Sequence, residues 1–486
     1  MYKDISIELL NLKDSDLEIL NIVTRGTVKE IFIQKKLKPQ YCPLCQHKMY
    51  SRGVYQRKLN HPILQDGFQI KLNVGQRRWK CTNPDCRYTS RDQFSFVSRY
   101  KHNTNMTEFL IVEAFRDPTI TASQIAKKFN VSDTFAIHTF LRYVDMPRRQ
   151  LSETICIDEV KVDVYKKCKY ALVIQDFKTG EPIDLLPSRR DDFTQNYFSS
   201  IPLRERQRVK YVVSDMYAPY ALYLDKYFHN AIHIVDSFHV IKLINQKILT
   251  YINVLTRRQK VKDEQRHDKL ESEFGRRIEF VPSNEYYLLK HCHWIVLSNI
   301  ENLDYKLPSH YNKKLKRHMD TSGYENLLFN LAPELRVMRD LKEDYVRFNK
   351  RYLGRPNEAK TGLLAIIRKY RDSEFKIFNE VANTLDNYFD AIINSFILTQ
   401  RYSNGQVVAS RMSNGPMESL NRTPKDMKRA ARGYKNWEFF RNRFLFSKRK
   451  NAAILGTPKT LAAVCFKTNK KRGQYKSRRR KLKSKI

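Results

Sequence analysis

The sequence predicts a multidomain α/β protein: a mixed sheet, preceded by a small cysteine-bearing domain and followed by a long helical segment. Three observations carry this. Apolar, β-branched runs recur between Glu153 and Phe238, as ETICIDEVKV, KYALVIQDF, EPIDLLPS, VKYVVSD and AIHIVDSF, at lengths that suit strands. From about Ile241 to Leu398 the chain is polar, Tyr-rich and helical in pattern. Four of the eight cysteines fall in two close pairs, YCPLCQHK and WKCTNPDCRY. A chain of 486 residues also exceeds one comfortable core, so several domains are expected.

The expected order is an N-terminal segment with a zinc-binding finger (1–100), a helix-turn-helix (101–150), a sheet region (151–255), a helical region (256–400), the segment of Glu418 (401–455) and a basic tail (456–486). The formal charge of +39, with 90 Lys and Arg against 51 acids, points to nucleic acid as partner. A membrane-surface protein can be as basic, but no unbroken apolar run reaches the roughly 18 residues of a spanning helix. The start, MYKDISIELLNLKDSDLEIL, is acidic and patterned, unlike a secretory signal. A cytoplasmic protein, in contact with DNA and not with membrane, is expected.

Cys42 and Cys45, then Cys81 and Cys86, have the spacing of two turns presenting thiolates to one structural Zn2+. Pro43 and Pro84 are turn formers beside them, and the strand-like stretch between the pairs leaves room for a small hairpin sheet. His47 or His61 could replace one ligand, though four cysteines suffice. Cys156, Cys168, Cys292 and Cys465 are scattered and read as core packing.

PTITASQIAKKFNVSDTFAIHTFLRYV, from Pro118 to Val144, reads as two short helices around a turn. Ile125, Ala126 and Phe129 are expected inside on the first, with Val131 in the turn. Ser132 or Asp133 is expected to cap the second, and Phe135, Ile137, Phe140 and Leu141 to continue the apolar stripe. The small Ala126 permits the close crossing of a helix-turn-helix. Ser132, Asp133, Thr134 and His138 are then the expected DNA contacts. The bland alternative is an ordinary two-helix corner.

In the sheet region Asp158 follows the apolar run TICI, Asp215 ends VVSD and Asp236 ends HIVD. Strands that finish on aspartates set carboxylates along one sheet edge, which is how a hard divalent ion is held. Taken singly, an aspartate after a strand is a common loop starter.

The order of cysteine pairs, helix-turn-helix, IDEV, VVSDMYAPY, VDSFHVIKLI and SNGPMESLNR…RGYKNWEFFRNR resembles the DDE transposases of bacterial insertion sequences, specifically the ISL-three family. The resemblance spans nearly the whole chain. It implies a ribonuclease-H-like core interrupted by a helical insertion, with an Asp-Asp-Glu triad at Asp158, Asp215 and Glu418. Two Mg2+ (or Mn2+) ions are implied at that triad. Asp236 and His239, in VDSFHV, resemble an accessory pair. The implied partners are double-stranded DNA, as transposon ends and target, and further copies of the chain in a homodimer or larger assembly.

Glu418 stands at the head of a segment, Arg401–Lys450, with three acids and thirteen Lys and Arg. Ser413 or Asn414 is expected to cap a helix with Pro416 in its first turn and Glu418 just inside. Arg422, on the same face, with Lys425, Lys428 and Arg429, is expected to grip DNA. Pro424 falls inside this helix, so a kink or a restart with Thr423 as cap is expected there. The tail KTNKKRGQYKSRRRKLKSKI holds eleven basic residues and no acid, which suits a chain ordered only on DNA. The activity expected is strand cleavage and strand transfer at terminal inverted repeats. The competing readings are a DNA-binding regulator with a dead core, and a nuclease that does not transpose.

Overall fold

Between Leu17 and Lys35 the chain is rich in β-branched residues, and it forms a hairpin of β1 (Leu17–Arg25) and β2 (Val28–Lys35). Gly26, at φ 58°, makes its turn. The computed structural model describes residues 7–14, 16–62, 68–166, 168–403 and 405–464; Cys465 and the basic stretch from Lys467 lie outside them. The chain divides into two compact units. One comprises the described residues of Met1–Pro147, Lys161–Lys169 and Thr423–Ile486, the other Arg148–Val160 and Tyr170–Arg422.

In the first unit β3 (Gln40–Tyr41), β4 (Lys48–His61), β5 (Gln69–Cys81) and β6 (Thr89–Arg91) join the opening hairpin. The sheet order is β1-β2-β5-β4-β3, with β6 on β5. The hairpin expected between the cysteine pairs is therefore part of a six-stranded sheet. Ile31, Ile33, Leu59, Leu72 and Val74 pack with Phe94 and Phe96 as its core.

Three helices follow: α1 (Asn105–Ala114), α2 (Ala122–Phe129) and α3 (Asp133–Tyr143). Thr121 and Gln124 form a capping box at the start of α2, Asn130 ends it in the left-handed region (φ 51°), and Ser132 caps α3 by accepting the Phe135 N–H. Ile125, Ala126 and Phe129 are buried. On α3 the interior is taken by Ala136, Thr139, Phe140 and Leu141, whereas Phe135 and Ile137 are half-buried on its flanks. Residues 136 and 140 share a face at helical spacing, and 135 and 137 straddle it.

A later helix, Trp437–Lys448, completes this bundle. Phe140 meets Phe115, Phe439 and Phe446 edge-on at 5.0–5.6 Å between ring centroids. Arg443 is fully buried there, donating to the carbonyls of Asp117 and Pro118 at 3.1 Å and to that of Ile120. Arg441 and Arg449 donate to the carbonyls of Met146 and Pro147. Several arginines of the basic segment thus donate to main-chain carbonyls of the fold.

The second unit is built on a five-stranded sheet: β7 (Thr154–Tyr165), β8 (Cys168–Asp176), β9 (Pro182–Leu186), β10 (Tyr211–Ser214) and β11 (Ile232–Val235), in the order β11-β10-β7-β8-β9. β10 runs parallel to both β7 and β11, and β9 is antiparallel to β8. The first residues of β7 are buried on both faces, as a central strand requires. α4 (Asp191–Ser200) and α5 (Ala218–Tyr227) place Phe198, Tyr220, Tyr223, Leu224 and Tyr227 on one face of the sheet.

β11 leads into α6 (Ser237–Phe274), a 38-residue helix that opens a helical region. Its stripe Val240, Ile244, Ile248 and Ile252 meets α7 (Glu334–Arg351), α8 (Pro356–Arg371) and α9 (Lys376–Asn387) in a separate apolar core. This region is anchored to the sheet by Asn394 Nδ2, donating to the His233 carbonyl, and by the Tyr388 hydroxyl, donating to that of Met216. A hairpin, Leu398–Ser403 with Gln406–Arg411, then delivers the chain to α10 (Gly415–Ala430).

Candidate active site and cysteine cluster

The register of the parallel strands sets the acids. Val213 pairs with Cys156 and Ser214 with Val235. Carried onward, the same register brings Asp158, Asp215 and Asp236 to one level across β7, β10 and β11. Asp158 does not finish its strand, contrary to the sequence expectation, because β7 continues to Tyr165. Val160, Val162 and Val164 stay buried while Lys161 and Asp163 turn outward.

Asp158 is buried, and its two oxygens have separate partners. Oδ1 accepts the Glu159 N–H at 2.8 Å and Oδ2 accepts the Asn421 side-chain amide at 2.8 Å. Burial pushes its carboxyl up to about 7; the Glu159 N–H opposes this, and the charges of Asp215, Glu159 and Glu418 add to it. Asp215 is raised as well, first by burial. His239 and Lys242 pull it back down, Glu159 pushes it up, and its Oδ1 accepts the Tyr217 N–H at 3.1 Å.

Glu418 lies in the first turn of α10, half-buried, its N–H on the Asn414 carbonyl at 2.9 Å. Asn414 is fully buried and does not cap through its side chain, as the sequence suggested it could. Its amide has no partner among the described residues, and its backbone N–H donates instead to Asp236 Oδ2 at 2.9 Å. Asp236 Oδ1 accepts the Phe238 N–H at 3.1 Å, capping α6. His239 is half-buried on that first turn, its Nε2 without a partner among the described residues.

α10 passes through Pro424 unbroken, with no restart at Thr423. Met417, Leu420 and Met427 bury one face on both sides of the proline, and that packing holds the turn whose hydrogen bond is missing. Arg422, Lys425 and Arg429 are exposed, while Lys428 is half-buried, 3.9 Å from Asp163. Asp133 and Thr134 are exposed at the start of α3 and His138 is half-buried, but the Ser132 hydroxyl is committed to the cap.

The sequence reading missed Asn421. Its signal was a spacing of three from Glu418, which puts both on one helical face. It also missed Arg189, between β9 and α4, whose guanidinium pairs with Glu159.

In the first unit the sulfurs of Cys42, Cys45, Cys81 and Cys86 all lie within 4.8 Å of one another. Cys42 faces Cys86 at 3.6 Å, and Cys45 faces Cys81 at 3.4 Å. The backbone N–H of His47 pulls the Cys45 thiol down to about 6, whereas burial pushes the Cys81 thiol up to about 12. Four soft donors at this closeness fit tetrahedral Zn2+. His61 is not among them: it is buried beside Thr104, 3.1 Å from its hydroxyl. His47 stays at the rim, its Nδ1 2.9 Å from the Cys45 carbonyl. Cys156, Cys168 and Cys292 are buried core residues.

The three carboxylates are more open than the cysteines, since among the described residues only the cysteines gather within 4.8 Å. Their donors are hard oxygens, and their mutual repulsion is what a divalent cation relieves.

A family model described as a transposase, that of the ISL3-type DDE enzymes, matches residues 155–444, more than half of the chain. The chain belongs to the ISL-three family of DDE transposases. It is also similar to the transposase for insertion sequence element IS1001 of Bordetella parapertussis, at 21% identity over 426 residues, covering 85% of this chain and 90% of that one. The matched span of this transposase includes Asp158, Asp215, Asp236 and Glu418; the cysteine cluster and α1–α3 precede it. No helix among its described residues is long and apolar enough to cross a membrane.

Proposed function

We propose that this transposase binds the terminal inverted repeats of an insertion sequence and catalyses metal-dependent strand cleavage and strand transfer, with Asp158, Asp215 and Glu418 as its acidic triad. The observation that carries the reading is the buried Asp158 carboxylate, its acidity weakened first by burial and further by the charges of Asp215, Glu159 and Glu418, and held by an amide one turn beyond Glu418. The sheet order, with its central strand between a meander and two parallel neighbours, supports a ribonuclease-H-like core.

Asp158, Asp215 and Glu418 would hold two Mg2+ or Mn2+ ions, which supply charge neutralisation and activation of the attacking oxygen. The chain's own part is to fix these carboxylates. Asn421 and the Glu159 N–H hold Asp158, the Tyr217 N–H holds Asp215, and Asp236 fixes the start of the helix that carries Glu418. In cleavage, water adds to a phosphodiester and a 3′-hydroxyl leaves. In transfer, that hydroxyl attacks a target phosphodiester, one P–O bond forming as another breaks.

The domain reading follows: a zinc finger on Cys42, Cys45, Cys81 and Cys86 within 1–100, a helix-turn-helix in 101–150, a core split into 151–255 and 401–455 by the insertion 256–400, and a basic tail from 456. Asp133, Thr134 and His138 would face the repeat, and Arg422, Lys425 and Arg429 the cleaved strand. Asp236 and His239 are read as supporting residues. Pairing two DNA ends calls for a dimer or larger assembly.

The experiment is incubation with a supercoiled plasmid carrying the element's ends and Mg2+. Joined products are expected. Cutting without joining would leave a nuclease, and binding without cutting would leave a regulator.

A further inference from the structure

The triad does not account for one guanidinium, which pairs with Glu159, the acid that follows Asp158 in β7. Arg189 lies three residues after β9 and two before α4, and its side chain is 30% exposed. Its central carbon sits 4.6 Å from the ring centroid of Tyr170 and 4.8 Å from that of Tyr217. Two aromatic faces thus hold the group. Nη1 pairs with the carboxylate of Glu159, the residue after Asp158. The backbone is fixed too: the Tyr223 hydroxyl is 3.2 Å from the Arg189 carbonyl and 2.8 Å from Asp191 Oδ1. One of the clamping residues, Tyr217, donates its N–H to Asp215.

A guanidinium carries five donors in a planar fork, and Glu159 engages one nitrogen of this one. An acidic cleft repels a polyanionic strand, so a fixed cation at its rim lowers the cost of bringing a phosphate there. We propose that Arg189 is a positioning residue that grips a backbone phosphate of the DNA strand lying against Asp158 and Asp215. This rests on the active-site reading above.

The test uses the full chain and plasmid carrying the element's ends. It measures kcat, the DNA concentration for half-maximal cleavage and the salt dependence of that concentration. Arg189→Ala is expected to raise half-saturation roughly tenfold or more, the scale of one charged hydrogen bond. It should also remove about 0.9 from the log–log salt slope, the share of one phosphate contact. Arg189→Lys should restore the slope without the full affinity, because the charge remains and the fork is lost. Glu159→Gln, which frees the guanidinium, should leave DNA affinity equal or tighter.

If Glu159→Gln reproduces the Arg189→Ala loss and the salt slope stays unchanged, Arg189 serves only to hold Glu159 and the proposal fails. Normal half-saturation in Arg189→Ala overturns it too. Should Arg189→Ala not fold, Arg189→Lys and Glu159→Gln decide by the same two readouts. Asp158→Asn runs alongside: if it cleaves normally the active-site reading itself falls, and if it is inactive beside a normal Arg189→Ala only this inference falls.

Discussion

Asn421 donates its side-chain amide to Oδ2 of Asp158 across 2.8 Å, joining the helix of Glu418 to the central strand of the sheet. The two residues are 263 positions apart. Both are buried, so neither can exchange this bond for water. Asn421→Ala leaves the buried Asp158 carboxyl short of a donor, a loss of about 1–3 kcal/mol. We expect a fall in cleavage rate of about ten- to a hundredfold, with DNA binding near wild type. A full rate in Asn421→Ala would remove the residue from the site.

Charge at the triad is the second matter. Asp158→Asn, Asp215→Asn and Glu418→Gln keep shape and remove one ligand charge each. Each is expected to abolish cleavage of plasmid ends while repeat binding, measured by gel shift, stays nearly intact. A variant that cuts at the wild-type rate takes its residue out of the triad.

For the cysteine cluster, elemental analysis of reduced protein should find one zinc per chain. Cys42→Ser should lose it and unfold the surrounding sheet locally, because binding energy of such a site is folding energy. Trp79 belongs to the same small core, so its fluorescence reports the event. Zinc-free protein with native fluorescence would end the claim.

His61 gives a pH dependence with a definite sign. Burial pushes its imidazole down to about 4, against about 6.5 in the unfolded chain. Between those values the unfolded state binds the extra proton, so stability is present above pH 6.5 and is lost as pH falls toward 4. Relative to His61→Gln, the wild-type N-terminal domain should lose about 2 kcal/mol between pH 7 and pH 5. Denaturation curves at the two pH values check it; a constant difference refutes it.

The strands of the sheet were legible because buried strands must be written as apolar runs. That β7 extends beyond Asp158 was also written, in the alternation of Val160, Val162 and Val164 with Lys161 and Asp163. The acid drew the eye to an ending that was not there. Other features could not be read locally. Arg443 looks like any basic residue until the carbonyls of Asp117, Pro118 and Ile120, over 300 positions away, surround it. α1 was missed for a different reason: its Phe109 is exposed while Thr107 and Glu108 are buried, so it lacks a clean apolar stripe. Asn414 shows the same limit, since its role as an anchor depends on a backbone N–H and not on its side chain.

Asp236 and His239 carry the last prediction. Both oxygens of Asp236 are spent on backbone donors, one at the start of α6 and one at the entry to α10. The residue therefore fixes where the insertion leaves the sheet and where the helix of Glu418 begins. Asp236→Ala should lower stability by about 1–3 kcal/mol, from a lost cap and an unpaired buried N–H, and should slow cleavage by letting Glu418 shift. His239 differs. Its ring lowers the carboxyl of Asp215 through charge, and its Nε2 has no partner among the described residues. A side chain that only packs would, when replaced by alanine, cost stability and leave the rate per folded molecule alone. A side chain that steadies Asp215 or the strand beside it would slow that rate with Mg2+ dependence unchanged. We expect the second outcome for His239→Ala. Thermal denaturation and single-turnover cleavage on one preparation separate the two, and a normal rate per folded molecule sinks the supporting role.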